Sequence, residues 1–237
     1  MCGRYSLAVP DLGRLRERFP LGDSVEIRER FNIAPTDDVL AVTTDREGRP
    51  RGELLRWGLV PPWSSSPSGA AKMINARAET VAERPAFRKA FERFRCLIIA
   101  DGFYDWRRLD GGRRREAFHI SLAERQPFAV AGLWSVWHRG EPVQVRSCSI
   151  ITTAANTAVA ALHDRMPVIL TQDEEHAWLD PGTPAPVLHE LLHPLAPEAT
   201  AVRQVGPAVN DVRYDGPACL ADPDPAGDRA RAQEALF

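Results

Sequence analysis

Lysine is nearly missing from this chain of 237 residues: Lys72 and Lys89 are the whole supply, and arginine provides the rest of the 30 basic side chains. Cysteine is scarce as well. Cys2, Cys96, Cys148 and Cys219 are widely scattered with no CxxC pair, which argues against an oxidised scaffold and fits a reducing, cytoplasmic setting. No stretch approaches 18 consecutive apolar residues and no basic leader precedes an apolar segment, so neither a membrane span nor a signal peptide is expected. Internal repeats are also lacking.

What is present is an ordinary globular composition, 44% hydrophobic and 26% charged, enough for one sizeable core or two small ones. The net charge of −2 hides a lopsided distribution. Residues 1–146 carry 25 basic and 19 acidic side chains, and residues 147–237 carry 5 and 13. Arginine's planar fork suits bidentate phosphate contacts, so nucleic acid is a candidate partner. A solvated surface written in arginine codons would look the same.

The pattern predicts a short helix over 11–19, with Leu12, Leu15 and Phe19 on one face, and a loop at Phe31–Thr36 entering a strand over 39–44. A turn at 46–50 joins that strand to a second ending at Trp57, and 64–71 is a Ser/Gly-rich loop. An amphipathic helix is predicted over 85–94, a buried strand over 96–100 and a hairpin turn at Asp110-Gly111-Gly112. Strands follow at 118–122, 128–134 and 148–153, then a helix over 154–162 and a strand over 168–170. Thr171 caps a helix through Trp178, and a short helix is expected near 187–193. Short strands interleaved with a few helices argue for a compact α+β domain. It is expected to span 1–221, followed by an acidic, loosely held tail over 222–237.

Cys2 follows the initiator methionine directly. If Met1 is removed, Cys2 carries an α-amine of pKa about 7.7–8.0 and a thiol of about 8.5 on adjacent carbons, both partly deprotonated near neutral pH. A terminal cysteine that is merely buried or frayed is the plain alternative. His163, at a turn beside Asp164 and Arg165, suits acid/base work, or simply caps a helix. Asp105, between Tyr104 and Trp106, has aromatic neighbours that favour a raised pKa, or is a hydrated strand end. Asn75, Arg77 and Glu79 alternate, so an extended segment would place them on one face. His189-Glu-Leu-Leu-His193 matches the HExxH zinc pattern, but Pro186 and Pro194 leave too little helix, and no metal or other cofactor is expected. His119, His138 and His176 read as surface or strand residues.

Six stretches occur in order: Met1-Cys-Gly-Arg-Tyr5, Phe31-Asn-Ile-Ala-Pro35, Trp57-Gly-Leu-Val-Pro61, Ile74-Asn-Ala-Arg-Ala-Glu79, Ala100-Asp-Gly-Phe-Tyr-Asp-Trp106 and His163-Asp-Arg-Met-Pro167. Together they resemble the SRAP family, the SOS-response-associated peptidases or abasic-site processing proteins. The resemblance runs from Met1 to about Val212. It implies a barrel-like core of mixed and antiparallel sheets with flanking helices. It also implies a DNA-repair activity: a covalent thiazolidine crosslink between Cys2 and an abasic site in single-stranded DNA, at junctions or stalled forks as well as plain strands. Lyase cleavage would accompany it, with peptidase activity limited to self-release.

By the same resemblance Asn75 would bond the sugar-derived oxygen, His163 would help open the sugar ring, and Arg4 and Arg77 would pair with flanking phosphates. Pro35 and Trp63 would block a continuing duplex. Arg88, on the arginine-rich helix, would add backbone charge. Arg84 matches a DNA-facing arginine imperfectly because Pro85 shifts the register. Family members carry glutamate where this chain has Asp105, which is one methylene shorter; crosslinking should survive, with altered lyase or reversal rates. A self-contained site from Cys2 to His163 implies a monomer, cytoplasmic and nucleoid-associated during repair. Two rivals remain. N-terminal-nucleophile glutamine amidotransferases also begin Met-Cys-Gly, but neither an Asn-Gly oxyanion motif nor an Arg-His-Arg-Gly-like stretch is found. A non-covalent single-strand binding module would use the same arginines and tryptophans without Cys2.

Overall fold

The computed structural model describes residues 2–9, 11–23, 25–109, 114–137 and 144–224. The predicted turn at 110–112, His138 and most of the acidic tail lie outside the described residues. In chain order the strands are β1 (Tyr5–Leu7), β2 (Arg30–Ile33), β3 (Asp38–Thr44), β4 (Pro50–Trp57), β5 (Asn75–Arg77), β6 (Arg95–Ala100), β7 (Gly102–Leu109), β8 (Arg114–Leu122), β9 (Phe128–Trp137), β10 (Val145–Ala154), β11 (Arg165–Pro167), β12 (Ile169–Leu170) and β13 (Thr200–Val205). The helices are α1 (Leu12–Arg18), α2 (Arg88–Arg93), α3 (Gln172–Leu179) and α4 (Ala185–Glu190).

The runs over 39–42, 96–100, 128–133 and 148–153 are buried throughout, as strands covered on both faces must be. They become staves of a barrel. β3 pairs with β4 and β6, β6 with β9, and β9 with β10; β10 returns to β4, closing a ring of five strands. The β10–β4 pairing is parallel and the others are antiparallel, so the barrel is mixed. A second sheet, ordered β13-β8-β7-β1-β2, lies beside it. Only Asp101 separates β6, in the barrel, from β7, in the second sheet, so the chain crosses between layers immediately before Asp105.

That crossing is held by a buried polar relay. The Ser6 hydroxyl lies 2.6 Å from Asp101 Oδ1 and 2.9 Å from His119 Nε2, and the Ala8 amide donates to Asp101 Oδ2 at 2.7 Å. Burial pushes the His119 imidazole down to about 4, so the ring is neutral; with Nε2 protonated it donates to Ser6, which donates to Asp101. Gly102 makes room for this ring, since a Cβ there would lie 2.0 Å from Nε2. Gly102→Ala should therefore cost about 1–3 kcal/mol by overpacking, read as a lowered midpoint in urea.

Several local expectations are corrected. Phe31–Ile33 belongs to β2 rather than to a loop. The helix predicted over 85–94 shrinks to Arg88–Arg93 because 81–87 is spent in turns. No regular helix forms over 154–162: Asn156 Oδ1 takes the Val159 amide at 3.0 Å and its Nδ2 reaches Leu195 O at 2.8 Å, so side chain competes with helix. Buried Arg95 donates to Phe91 O, Glu92 O, Trp178 O and Asp180 O, satisfying the C-terminal ends of α2 and α3 at once. The Thr171–Glu174 capping box forms as predicted.

Candidate active site

Cys2 sits where the two layers meet, 2% exposed. Its pocket is apolar, lined by Tyr5, Ile98, Phe103, Val130, Ile150 and Pro167 among others. Burial, helped by the negative charge of Asp105, pushes the thiol up to about 12. The expectation of a partly ionised thiol concerned the chain without Met1; in the full chain burial disfavours the thiolate.

Three elements converge on this residue. β5 lies parallel to β10, with Asn75 opposite Ile150, and from there Asn75 Nδ2 donates to the Cys2 carbonyl at 2.7 Å. Asn75 Oδ1 is buried without a partner among the described residues. β7 runs alongside the N-terminal segment, fixed by the Tyr104 amide on Arg4 O at 2.9 Å, and so carries Asp105 to Cys2. Asp105 Oδ1 accepts the Trp106 amide at 2.8 Å, and its Oδ2 is a second buried acceptor with no partner among the described residues. Burial raises its pKa, opposed first by the hydrogen bond from the Trp106 amide.

His163 arrives on the turn before β11, which pairs with the end of β10. The Arg165 amide donates to its Nδ1 at 3.0 Å, while Asp164 Oδ1 lies 2.7 Å from the same nitrogen. These are alternatives. A neutral ring accepts from Arg165; a protonated one donates to Asp164. Arg165 clamps the turn through Glu79 (2.5 and 2.9 Å) and Thr152 O. Glu79 is therefore not on one face with Asn75 and Arg77: β5 ends at Arg77, Ala78–Thr80 turns in 3-10 form, and Glu79 points to Arg165.

Arg4 is half-buried beside Trp106, 5.8 Å from its ring centroid, with Nη1 on Asn32 Oδ1 at 2.7 Å and Val209 O at 2.9 Å. Arg77, Arg84 and Arg88 are exposed and have no carboxylate partner among the described residues. Trp63 is 65% exposed. Pro35 takes the second position of a turn closed by the Asp37 amide on Ala34 O at 3.1 Å. Thr36 follows at φ 79, a strained conformation for a β-branched residue that fixes where Pro35 sits. Neither Pro35 nor Trp63 hydrogen-bonds to the Cys2 cluster.

The HExxH pair is dismantled. α4 ends at Glu190, the His189 ring packs 5.0 Å from Phe91, and His193 Nε2 lies 2.9 Å from Glu174 Oε1. Hydrogen bonding to Pro194 O and then to Glu174 raises the His193 pKa against a smaller burial effect. A raised folded pKa means the contribution is complete below about 6.5, the ordinary histidine value, and is lost as pH rises through the folded one. His193→Ala should cost within about 1 kcal/mol at pH 6 and less at pH 8, checked by thermal melts at both.

Residues 1–212 match the model of the SOS response associated peptidase (SRAP) family. The chain belongs to the SRAP family. Abasic site processing protein YoaM of Bacillus subtilis is 41% identical over 218 residues, covering 89% of this chain and 93% of the relative. YoqW of the same organism, also an abasic site processing protein, is 38% identical over 221 residues, covering 92% and 97%. Among solved structures, a Bacteroides thetaiotaomicron protein superposes with a TM-score of 0.81 at 23% identity over 93% of this chain and 99% of that one, a likeness of fold alone. A phage-related protein of Bordetella bronchiseptica gives a TM-score of 0.66 at 28% identity, over 94% and 100%.

Within this SRAP chain, Cys2, Asn75, Asp105 and His163 come from the N-terminus, β5, β7 and the turn before β11, far apart in sequence. Missed at the sequence level are Asn32, which holds Arg4, and Val209, which supplies a carbonyl to both. Asn32 carried a signal, as a polar residue amid the apolar Phe31–Pro35 stretch; a backbone carbonyl carries none.

Proposed function

We propose that this protein processes abasic sites in single-stranded DNA by covalent capture on Cys2 after removal of Met1. The observation that carries the reading is the pairing of two orphaned buried acceptors, Asp105 Oδ2 and Asn75 Oδ1, with a buried, protonated thiol at the residue that would become the N-terminus. Those acceptors suit donors that appear during the reaction: a sugar hydroxyl from the DNA for Asn75, and the thiol or amine proton of Cys2 itself for Asp105.

The ring-opened sugar exposes an aldehyde. The neutral Cys2 amine adds to its carbon, and loss of water leaves a protonated Schiff base. The thiol then adds to the same carbon: S–C forms, C=N becomes C–N, and the thiol proton passes through Asp105 as the nitrogen regains a neutral amine. His163 serves ring opening by donating a proton to the ring oxygen. Arg4 and Arg77, lacking carboxylate partners among the described residues, hold flanking phosphates, with Arg84 and Arg88 adding charge along the strand. Trp63 and Pro35 obstruct a continuing duplex. The Schiff base also acidifies the neighbouring carbon, so 3′ strand cleavage by elimination competes with ring closure. Peptidase activity is confined to release of the DNA-linked end. The domain acts as a monomer.

The test mixes purified protein with single-stranded DNA carrying one abasic site and resolves the products on a denaturing gel. A covalent band is expected, and a form retaining Met1 should lack it. Absence of the band from the processed protein would sink the proposal. Glutamine hydrolysis would favour the amidotransferase reading, and salt-reversible binding alone the simple binding module.

A further inference from the structure

The Phe31–Pro35 stretch has an asparagine that the chemistry above leaves unused. Asn32 is 1% exposed, and every polar atom of its side chain is engaged. Oδ1 accepts from Arg4 Nη1 at 2.7 Å. Nδ2 faces Tyr214 O at 2.7 Å, Asp211 O at 3.0 Å and Val209 O at 3.4 Å. The segment bearing those carbonyls, 207–215, is strapped to the same strand from outside: Asp215 Oδ1 accepts the Phe31 and Asn32 amides at 2.6 and 2.9 Å, and Asp215 pairs with Arg30. Asn210 Oδ1 takes the Trp106 indole N–H at 2.7 Å, beside Asp105.

The partners of Arg4 are all neutral. Several other half-buried arginines are paired with carboxylates, Arg30 with Asp37 and Asp215, Arg165 with Glu79, Arg146 with Glu53 and Arg18 with Glu175, whereas Arg16 and Arg95, like Arg4, rest on neutral oxygens. Arg4 has no carboxylate within ion-pair distance among the described residues. An amide oxygen and a backbone carbonyl, both accepting from Nη1, hold the guanidinium without an ion pair and leave its charge available to an anion.

We infer that Asn32, with the Val209 carbonyl, is a positioning residue that presets Arg4 for a DNA phosphate without cancelling its charge. The strap over 207–215 is thereby part of the DNA-binding site. This rests on the reading of Arg4 as a phosphate contact.

The test measures Kd by fluorescence anisotropy for a single strand carrying a ring-closed abasic analogue. It has no aldehyde, so failure of covalent capture cannot distort the result. Binding is followed across a salt series for wild type, Arg4→Ala, Arg4→Lys, Asn32→Ala and the Arg4→Ala/Asn32→Ala double variant. Asn32→Ala should weaken binding about tenfold and flatten the salt slope by about 0.7, one single-strand phosphate. The double variant should be no worse than Arg4→Ala, because both remove one interaction. Arg4→Lys keeps the charge without the fork and should lose about as much as Arg4→Ala. Wild-type affinity and slope in Asn32→Ala, or full additivity in the double variant, would overturn the inference while leaving Arg4's role standing. Wild-type behaviour in Arg4→Ala would overturn both. Should Asn32→Ala be recovered unfolded, Arg4→Lys decides, and wild-type affinity there counts against preset geometry.

Discussion

Cys2→Ala will lose the heat-stable DNA adduct yet retain a Schiff base that borohydride can trap. Once Met1 is removed, alanine keeps the α-amine and lacks only the sulfur. The amine can still condense with the aldehyde, but the product hydrolyses in water. In the native residue the second bond closes within one molecule, where effective molarities reach about 10⁵–10⁸ M, and the ring converts a transient imine into a lasting link. The adduct that survives denaturation should fall at least about a thousandfold in Cys2→Ala, a bound well inside that range. Misfolding is not the cause expected, since a sulfur deleted from a small apolar pocket is a minor large-to-small change of about 1 kcal/mol. The check is a denaturing gel run with and without reductant. A full-strength band from Cys2→Ala without reductant would mean that Cys2 is not the attachment point.

The buried thiol constrains the order of events. With its pKa pushed up to about 12 by burial in the full chain, the thiol favours its protonated form at pH 7. A thiol in that state does not lead the attack. In the proposed mechanism the amine therefore goes first, and the thiol follows once a base within the pocket can take its proton.

Much of this architecture is legible from the residues. The barrel staves announce themselves as continuous apolar runs, and the first-turn acids after Thr171 predict the capping box that forms. Closure of the barrel is not legible, because it depends on β10 pairing with β9, its neighbour in the chain, and also with β4, far back in the sequence. Helix limits fail where side chains compete with the backbone, as at Asn156, or where turns consume the start, as before Arg88. At the site, Cys2 is conspicuous by its place after Met1, but residue type alone leaves Asn75, Asp105 and His163 open, and it is the six ordered stretches shared with the SRAP family that group them. Periodicity misplaces Glu79, because alternation extrapolates a strand past Arg77 into a 3-10 turn. The thiol's protonation state depends on Ile98, Val130 and Ile150, whose approach to Cys2 only the fold creates.

Asp105→Asn should separate activity from stability in opposite directions. Burial holds the Asp105 carboxyl above its ordinary 3.8, so the folded protein binds this proton more tightly than the unfolded chain does. A group with a raised folded pKa favours folding at low pH, and that benefit is lost as pH climbs from the unfolded pKa through the folded one. At pH 7 the native carboxylate is therefore a net cost. Asparagine cannot ionise and is nearly isosteric, so the variant should melt higher than wild type at pH 7, with the advantage shrinking as pH falls toward 3.8. Its capture rate should drop by about 10²–10⁴, the usual worth of a positioned acid or base, because the thiol proton has no carboxylate to leave by. Asp105→Glu tests reach instead of charge: the extra methylene should change strand-cleavage and adduct-reversal rates while capture survives. Melts at several pH values and single-turnover gels check all of this. A less stable Asp105→Asn that captures at the wild-type rate would show that the carboxylate is a structural group held by the Trp106 amide and not the acid–base of the site.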